Sequence, residues 1–98
     1  MAGYIVATYD ITNPEAYPAY VAEVGGTLTG MDVDVLVADY DSEVIEGEPG
    51  KVTVVLKFAS KAAAREWYNS KAYQAVVHHR TTNTVGSMVL VDQFVPPT

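Results

Sequence analysis

Lys51-Val52-Thr53-Val54-Val55-Leu56-Lys57-Phe58-Ala59 is dense in β-branched and aromatic residues. Such a run reads as a strand, with Val52, Val54, Leu56 and Phe58 on one face and Thr53, Val55 and Lys57 on the other. A sheet with one wet face should alternate cleanly between apolar and polar. Here Val55 interrupts the polar side. The same holds in residues 87–95, where Met88, Leu90, Asp92 and Phe94 oppose Val89, Val91, Gln93 and Val95. In residues 33–39, Val33, Val35 and Val37 oppose Asp34, Leu36 and Ala38. Both faces of the implied sheet therefore carry apolar groups, and helices packed on one side cover only one of them.

Working outward, residues 3–10 (GYIVATYD) read as another strand. Asn13 is a good N-cap, Pro14 suits a first helical position, and Glu15 favours the positive end of the helix dipole. The helix that follows presents Ala16, Tyr17, Tyr20, Val21 and Val24 on one apolar face, with Pro18 still in its first turn. Gly25-Gly26 should end or break it. Residues 41–50 form an acidic, turn-rich loop. Ser60 caps a helix through Tyr68, and Ser70 caps a second segment over residues 71–79. Residues 81–86 read as a polar loop, and Pro96-Pro97 closes the last strand. The order is β-α-β-β-α-β, an α+β ferredoxin-like arrangement of one domain over residues 1–98. It predicts a four-stranded antiparallel sheet with the helices on one face. The uncovered apolar face predicts a homodimer in which two sheets pack face to face about a two-fold axis.

Composition narrows the function. Twelve acidic against six basic side chains give a net charge of -6. Nucleic acid and anionic membrane surfaces need concentrated Lys and Arg, so neither is an expected partner. The absence of cysteine excludes disulfides, zinc–thiolate sites and cysteine nucleophiles. No apolar stretch approaches the roughly 20 residues that span a bilayer. With no charged segment leading into an apolar run at the start, a cytoplasmic location is the expectation.

His78, His79 and Arg80 form the densest polar cluster, near a helix end. On the phase set by Tyr73, Val76 and Val77, His79 and Arg80 edge toward the sheet and His78 is more exposed. The functional reading makes His79 a general acid or base and Arg80 a clamp for a carboxylate. The structural reading makes all three favourable cations at a helix C-terminus. Asp10, at the end of the first strand, either orients a histidine or forms a turn. Tyr17, Tyr20 and Trp67, with Tyr9 and Tyr40, either line an aromatic pocket or fill the core. The acidic run Asp39, Asp41, Glu43, Glu46, Glu48 lacks calcium-loop spacing, and adjacent histidines do not make a zinc face, so no metal is expected. No phosphate loop or nucleophile elbow is present, and no cofactor is expected.

Tyr17-x-x-Tyr20, the stretch Val44-Ile45-Glu46-Gly47-Glu48, and Glu66-Trp67-Tyr68-Asn69-Ser70-x-x-Tyr73-Gln74 with Arg80 shortly after resemble the domain-of-unknown-function family numbered 1330. That family sits within the dimeric α+β barrel superfamily, and the resemblance covers nearly the whole chain. It implies a ferredoxin-like protomer whose sheets pair into a two-sheet barrel, and it implies no particular activity. Superfamily relatives include cofactor-free monooxygenases, isomerases and decarboxylating enzymes, which is analogy at the level of fold. Many family members carry a basic residue leaving the second strand, followed by glycines; here Ala38 and Asp39-Tyr40 stand there. Two functions follow as expectations. One is a cofactor-independent enzyme or binder that acts on a small aromatic or carboxylated compound by proton transfer, using His79, Arg80 and Asp10 with Tyr17, Tyr20 and Trp67. The alternative is a non-catalytic homodimeric module.

Overall fold

The structure, a computed structural model, describes residues 1–97. Strand β1 (Gly3–Ile11) is followed by helix α1 (Pro18–Val24) and a 3₁₀ turn (Gly25–Leu28). Strands β2 (Val33–Asp39) and β3 (Val52–Phe58) come next. Helices α2 (Lys61–Tyr68) and α3 (Lys71–Val76) precede the single turn α4 (His78–Thr81), and β4 (Thr84–Asp92) closes the fold. The sheet order is β2-β3-β1-β4 with every neighbour antiparallel, the ferredoxin-like topology expected from the element order.

Local chemistry explains most boundaries. The Ser60 hydroxyl accepts from Ala63 N at 3.0 Å, and the Ser70 hydroxyl from Tyr73 N at 3.2 Å, so both predicted caps form. The start of α1 differs from the expectation. The Asn13 carbonyl accepts from Ala16 N and Tyr17 N, which makes residues 14–17 a turn. The helix then begins at Pro18, where a missing N–H costs nothing. The α-helix ends at Val24, as expected from Gly25-Gly26, and the chain continues as the 3₁₀ turn. The segment predicted over residues 71–79 divides at Val77 into α3 and α4.

Strand β4 also shifts from its expected position. Thr84 and Val85, predicted as loop, pair with Ile11 and Asp10, and Gly86 with Tyr9. At the other end β4 stops at Asp92, opposite Gly3; Gln93 N still donates to the Ala2 carbonyl at 2.9 Å, and Phe94 lies beyond the ladder.

Ile5, Ala7 and Tyr9 of β1 join Val52, Leu56 and Phe58 of β3 under the helices. Trp67, Tyr73, Ala64, Tyr17 and Tyr20 cover them from above. The opposite face of the sheet has no helix on it. Val85, Val89 and Val91 of β4 are 68%, 51% and 39% exposed there, beside half-buried Val6 and Val55. In β2 the alternation is corrected by a bulge. Val35 faces Leu56 and Val37 faces Val55, which leaves Leu36 as an extra residue. Beyond it the faces swap, so Val37 joins the open face and Ala38 turns toward the helices.

Candidate functional site

Between α1 and the sheet lies a cavity of about 210 Å³. Its walls are apolar, from Ala7, Val24, Leu28, Val54, Leu56 and Met88. Its polar groups are few: Tyr9, Tyr17, Tyr20 and Tyr40, with Arg80. Trp67 adds an aromatic wall, its indole N–H donating to Thr27 Oγ1 at 3.0 Å.

Two hydroxyl clusters border this space. Tyr9 and Tyr17 hydroxyls are 2.6 Å apart, and Tyr17 lies 3.3 Å from Tyr40. Separately, Tyr20 and Tyr73 hydroxyls are 2.8 Å apart, and Arg80 Nε donates to Tyr73 Oη at 3.3 Å. Burial, then the bonds to Tyr40 and Tyr9, hold the Tyr17 pKa well above its usual range. Burial and the bond to Tyr73 do the same for Tyr20. Burial raises Tyr9 too, although the Tyr17 bond works against it. These phenols are therefore neutral hydroxyls near pH 7, able to donate or accept hydrogen bonds but not to act as anionic bases.

Arg80 is the unusual group. It is 8% exposed, and among the described residues no carboxylate lies within ion-pair distance of it. Burial opposes its charge, but the Tyr73 bond and the surrounding tyrosines outweigh that, and its pKa is raised. No buried side-chain polar atom among the described residues is sealed off without a partner. The two Nη groups make no hydrogen bond among the described residues and are not sealed off, and Arg80 lines the cavity. The backbone around it is pinned. Thr84 Oγ1 donates to the Arg80 carbonyl at 2.7 Å, and Asn83 Nδ2 to the His79 carbonyl at 2.8 Å. The buried Asn83 also accepts Thr12 N at 2.8 Å through its carbonyl, which ties α4 to the end of β1.

Of the residues singled out from the sequence, Tyr17, Tyr20, Trp67 and Arg80 come together around one cavity. His79 and Asp10 do not line it. His79 Nε2 lies 3.0 Å from Glu23 Oε2 and stacks on His78 at 4.0 Å between ring centroids. The Asp10 carboxylate accepts from Lys51 N at 2.9 Å, and its cross-strand neighbour Val85 belongs to the open face. The Tyr73 hydroxyl and Asn83 escaped the sequence reading. Tyr73 precedes Arg80 by two helical turns, a spacing that puts the two on one face and signals their contact. Among the described residues no group of His, Asp and Glu is arranged to hold a metal ion.

The comparisons agree on the architecture. A protein of unknown function from Rhodopseudomonas palustris superposes with a TM-score of 0.75 at 16% identity, covering 97% of this chain and 84% of its own. A dabb family protein with a ferredoxin-like fold from Mesorhizobium loti gives 0.64 at 13% identity, over 99% and 98%. SnoaB, a cofactor-independent oxygenase from Streptomyces nogalater, gives 0.58 at 9% identity, over 98% of both chains. No curated protein sequence matches the chain. Identities this low carry the fold and not the chemistry. The sequence pattern of one family does extend over residues 2–94. The chain therefore belongs to the family called domain of unknown function DUF1330, with a ferredoxin-like fold.

Proposed function

We propose that this protein binds a small carboxylated, ring-bearing compound in the cavity under α1, with Arg80 as the counter-charge. One observation carries the reading: a buried guanidinium with no acidic partner borders an apolar cavity. A buried charge without a partner is costly, and a carboxylate offers Arg the bidentate acceptor it lacks. Trp67, Tyr17 and Tyr20 supply the aromatic walls. If the bound compound undergoes proton transfer, the hydroxyls that border the space are the nearest donors. His79 and Asp10 would act only after leaving Glu23 and the Lys51 backbone.

The exposed valines of the open face favour a second statement, that the working unit is a homodimer joined through that face. A purely structural role is the competing account, and it needs no ligand. Thermal melting with benzoate and with uncharged benzamide separates the two. Ligand binding to the native state raises the melting temperature. Benzoate should raise it and benzamide should not, and the effect should vanish in Arg80→Met. Equal behaviour of the two compounds would leave the structural role standing.

A further inference from the structure

Tyr9, Tyr17 and Tyr40 carry three hydroxyls joined by two contacts, of 2.6 and 3.3 Å. Each contact uses one hydrogen, so one hydrogen is left over, at either end or on Tyr17. Tyr40 is 48% exposed and can give its hydrogen to water. Tyr9 is 2% exposed, and Tyr17 is its hydroxyl's only partner among the described residues. Two states of the Tyr9 hydroxyl follow, donor to Tyr17 or acceptor from it. As donor, Tyr9 keeps an unused lone pair. As acceptor, its own hydrogen lacks a partner. In either state Tyr9 has hydrogen-bonding capacity left over at the cavity wall.

A hydroxyl group both donates and accepts, so it satisfies either state, whereas a carbonyl satisfies only one. The Tyr20 hydroxyl, with Tyr73 as its one partner among the described residues, keeps the same spare capacity, so the test must distinguish it from Tyr9. A volume of about 210 Å³ falls below the roughly 300–1,000 Å³ of pockets for drug-sized compounds, which limits the occupant to about one ring. Resting on the anion-site reading above, we infer that the ligand is a hydroxy-substituted single-ring aromatic acid, its carboxylate on Arg80 and its hydroxyl on Tyr9. Tyr9 then sets specificity, and Arg80 sets the requirement for an anion.

Calorimetric titration with benzoate and the three monohydroxybenzoates tests this. One isomer should bind more tightly than benzoate by about threefold to tenfold, the net worth of one neutral hydrogen bond. Tyr9→Phe should abolish that preference, so that the isomer and benzoate bind the variant equally, and a cooperative thermal melt is the folding control for the variant. If benzoate binds and no isomer exceeds it, the inference fails and the anion site survives. A preference that persists in Tyr9→Phe also overturns it. If none of the four acids binds, the anion site and this inference fall together.

Discussion

Arg80 concentrates the energetic argument in one side chain. Its guanidinium is buried without a carboxylate, a stability cost that the carboxylate of the proposed ligand would offset. Arg80→Met keeps most of the volume and removes the charge, and Tyr73 keeps Tyr20 as its hydroxyl partner. The unliganded variant should therefore melt at or above the wild-type temperature by differential scanning calorimetry. A large loss of stability would mean that the guanidinium holds the fold together. The tyrosines set a second signature at this scale. Tyr9, Tyr17 and Tyr20 have folded-state pKa values above the ordinary 10.0. Above about pH 10 the unfolded chain releases protons that the folded chain keeps, so stability falls as pH rises. Their contribution is complete below that pH and shrinks above it. Melting temperature should decline steeply on the alkaline side, and less steeply in Tyr17→Phe, which removes one of the raised phenols.

Among the elements, β1 is gripped where it delivers Tyr9. A Cβ on Gly86 would sit 2.2 Å from the Thr8 carbonyl oxygen, and one on Gly50, at φ +90°, would sit 2.5 Å from the Tyr9 carbonyl carbon. These are backbone neighbours that cannot rotate away. Gly86→Ala should cost about 1–3 kcal/mol in chemical denaturation, within the range for substitutions that force strain. Ser60→Ala should cost about 1 kcal/mol, the usual worth of a helix cap, and leave the cavity intact. Both caps were legible in the sequence because they depend on a serine and the next turn alone. The strand order was legible because alternation and turn residues punctuate it. Other features depend on partners distant in the chain. The bulge at Leu36 exists only in register with β3, so alternation along β2 assigned Val37 and Ala38 to the wrong faces. The start of β4 is fixed by β1, which recruits Thr84 and Val85 into the ladder. His79 sat at a plausible helical phase, yet Glu23 on α1 lies within ion-pair distance of it, a contact no local pattern announces. The aromatic members of the site were visible as residues, but the cavity they enclose is a property of packing.

At the scale of the molecule the chain is a two-layer slab with extents of 48 × 36 × 16 Å, helices on one side and an exposed valine-rich sheet on the other. Burying that sheet face removes apolar area from water at about 25 cal/mol per Å². Val55→Lys with Val89→Lys, which places charges at the face without touching the cavity lining, should shift sedimentation from a dimer to a single subunit. A wild-type sample that sediments as a single subunit at micromolar concentration would remove the case for pairing. Charge at this scale makes the candidate site distinctive. The chain carries a net -6, so an anion gains nothing from the protein as a whole and must be drawn by a local cation. Among the described residues, Arg80 is the one full charge on the cavity wall. Calorimetric titration of benzoate into wild type and Arg80→Met, with benzamide as the neutral control, tests that directly. The account predicts benzoate binding that weakens by about tenfold to a hundredfold in Arg80→Met, as loss of a charge-assisted hydrogen-bonded pair would give. Equal affinity of both proteins for benzoate, or of wild type for benzoate and benzamide, would contradict it.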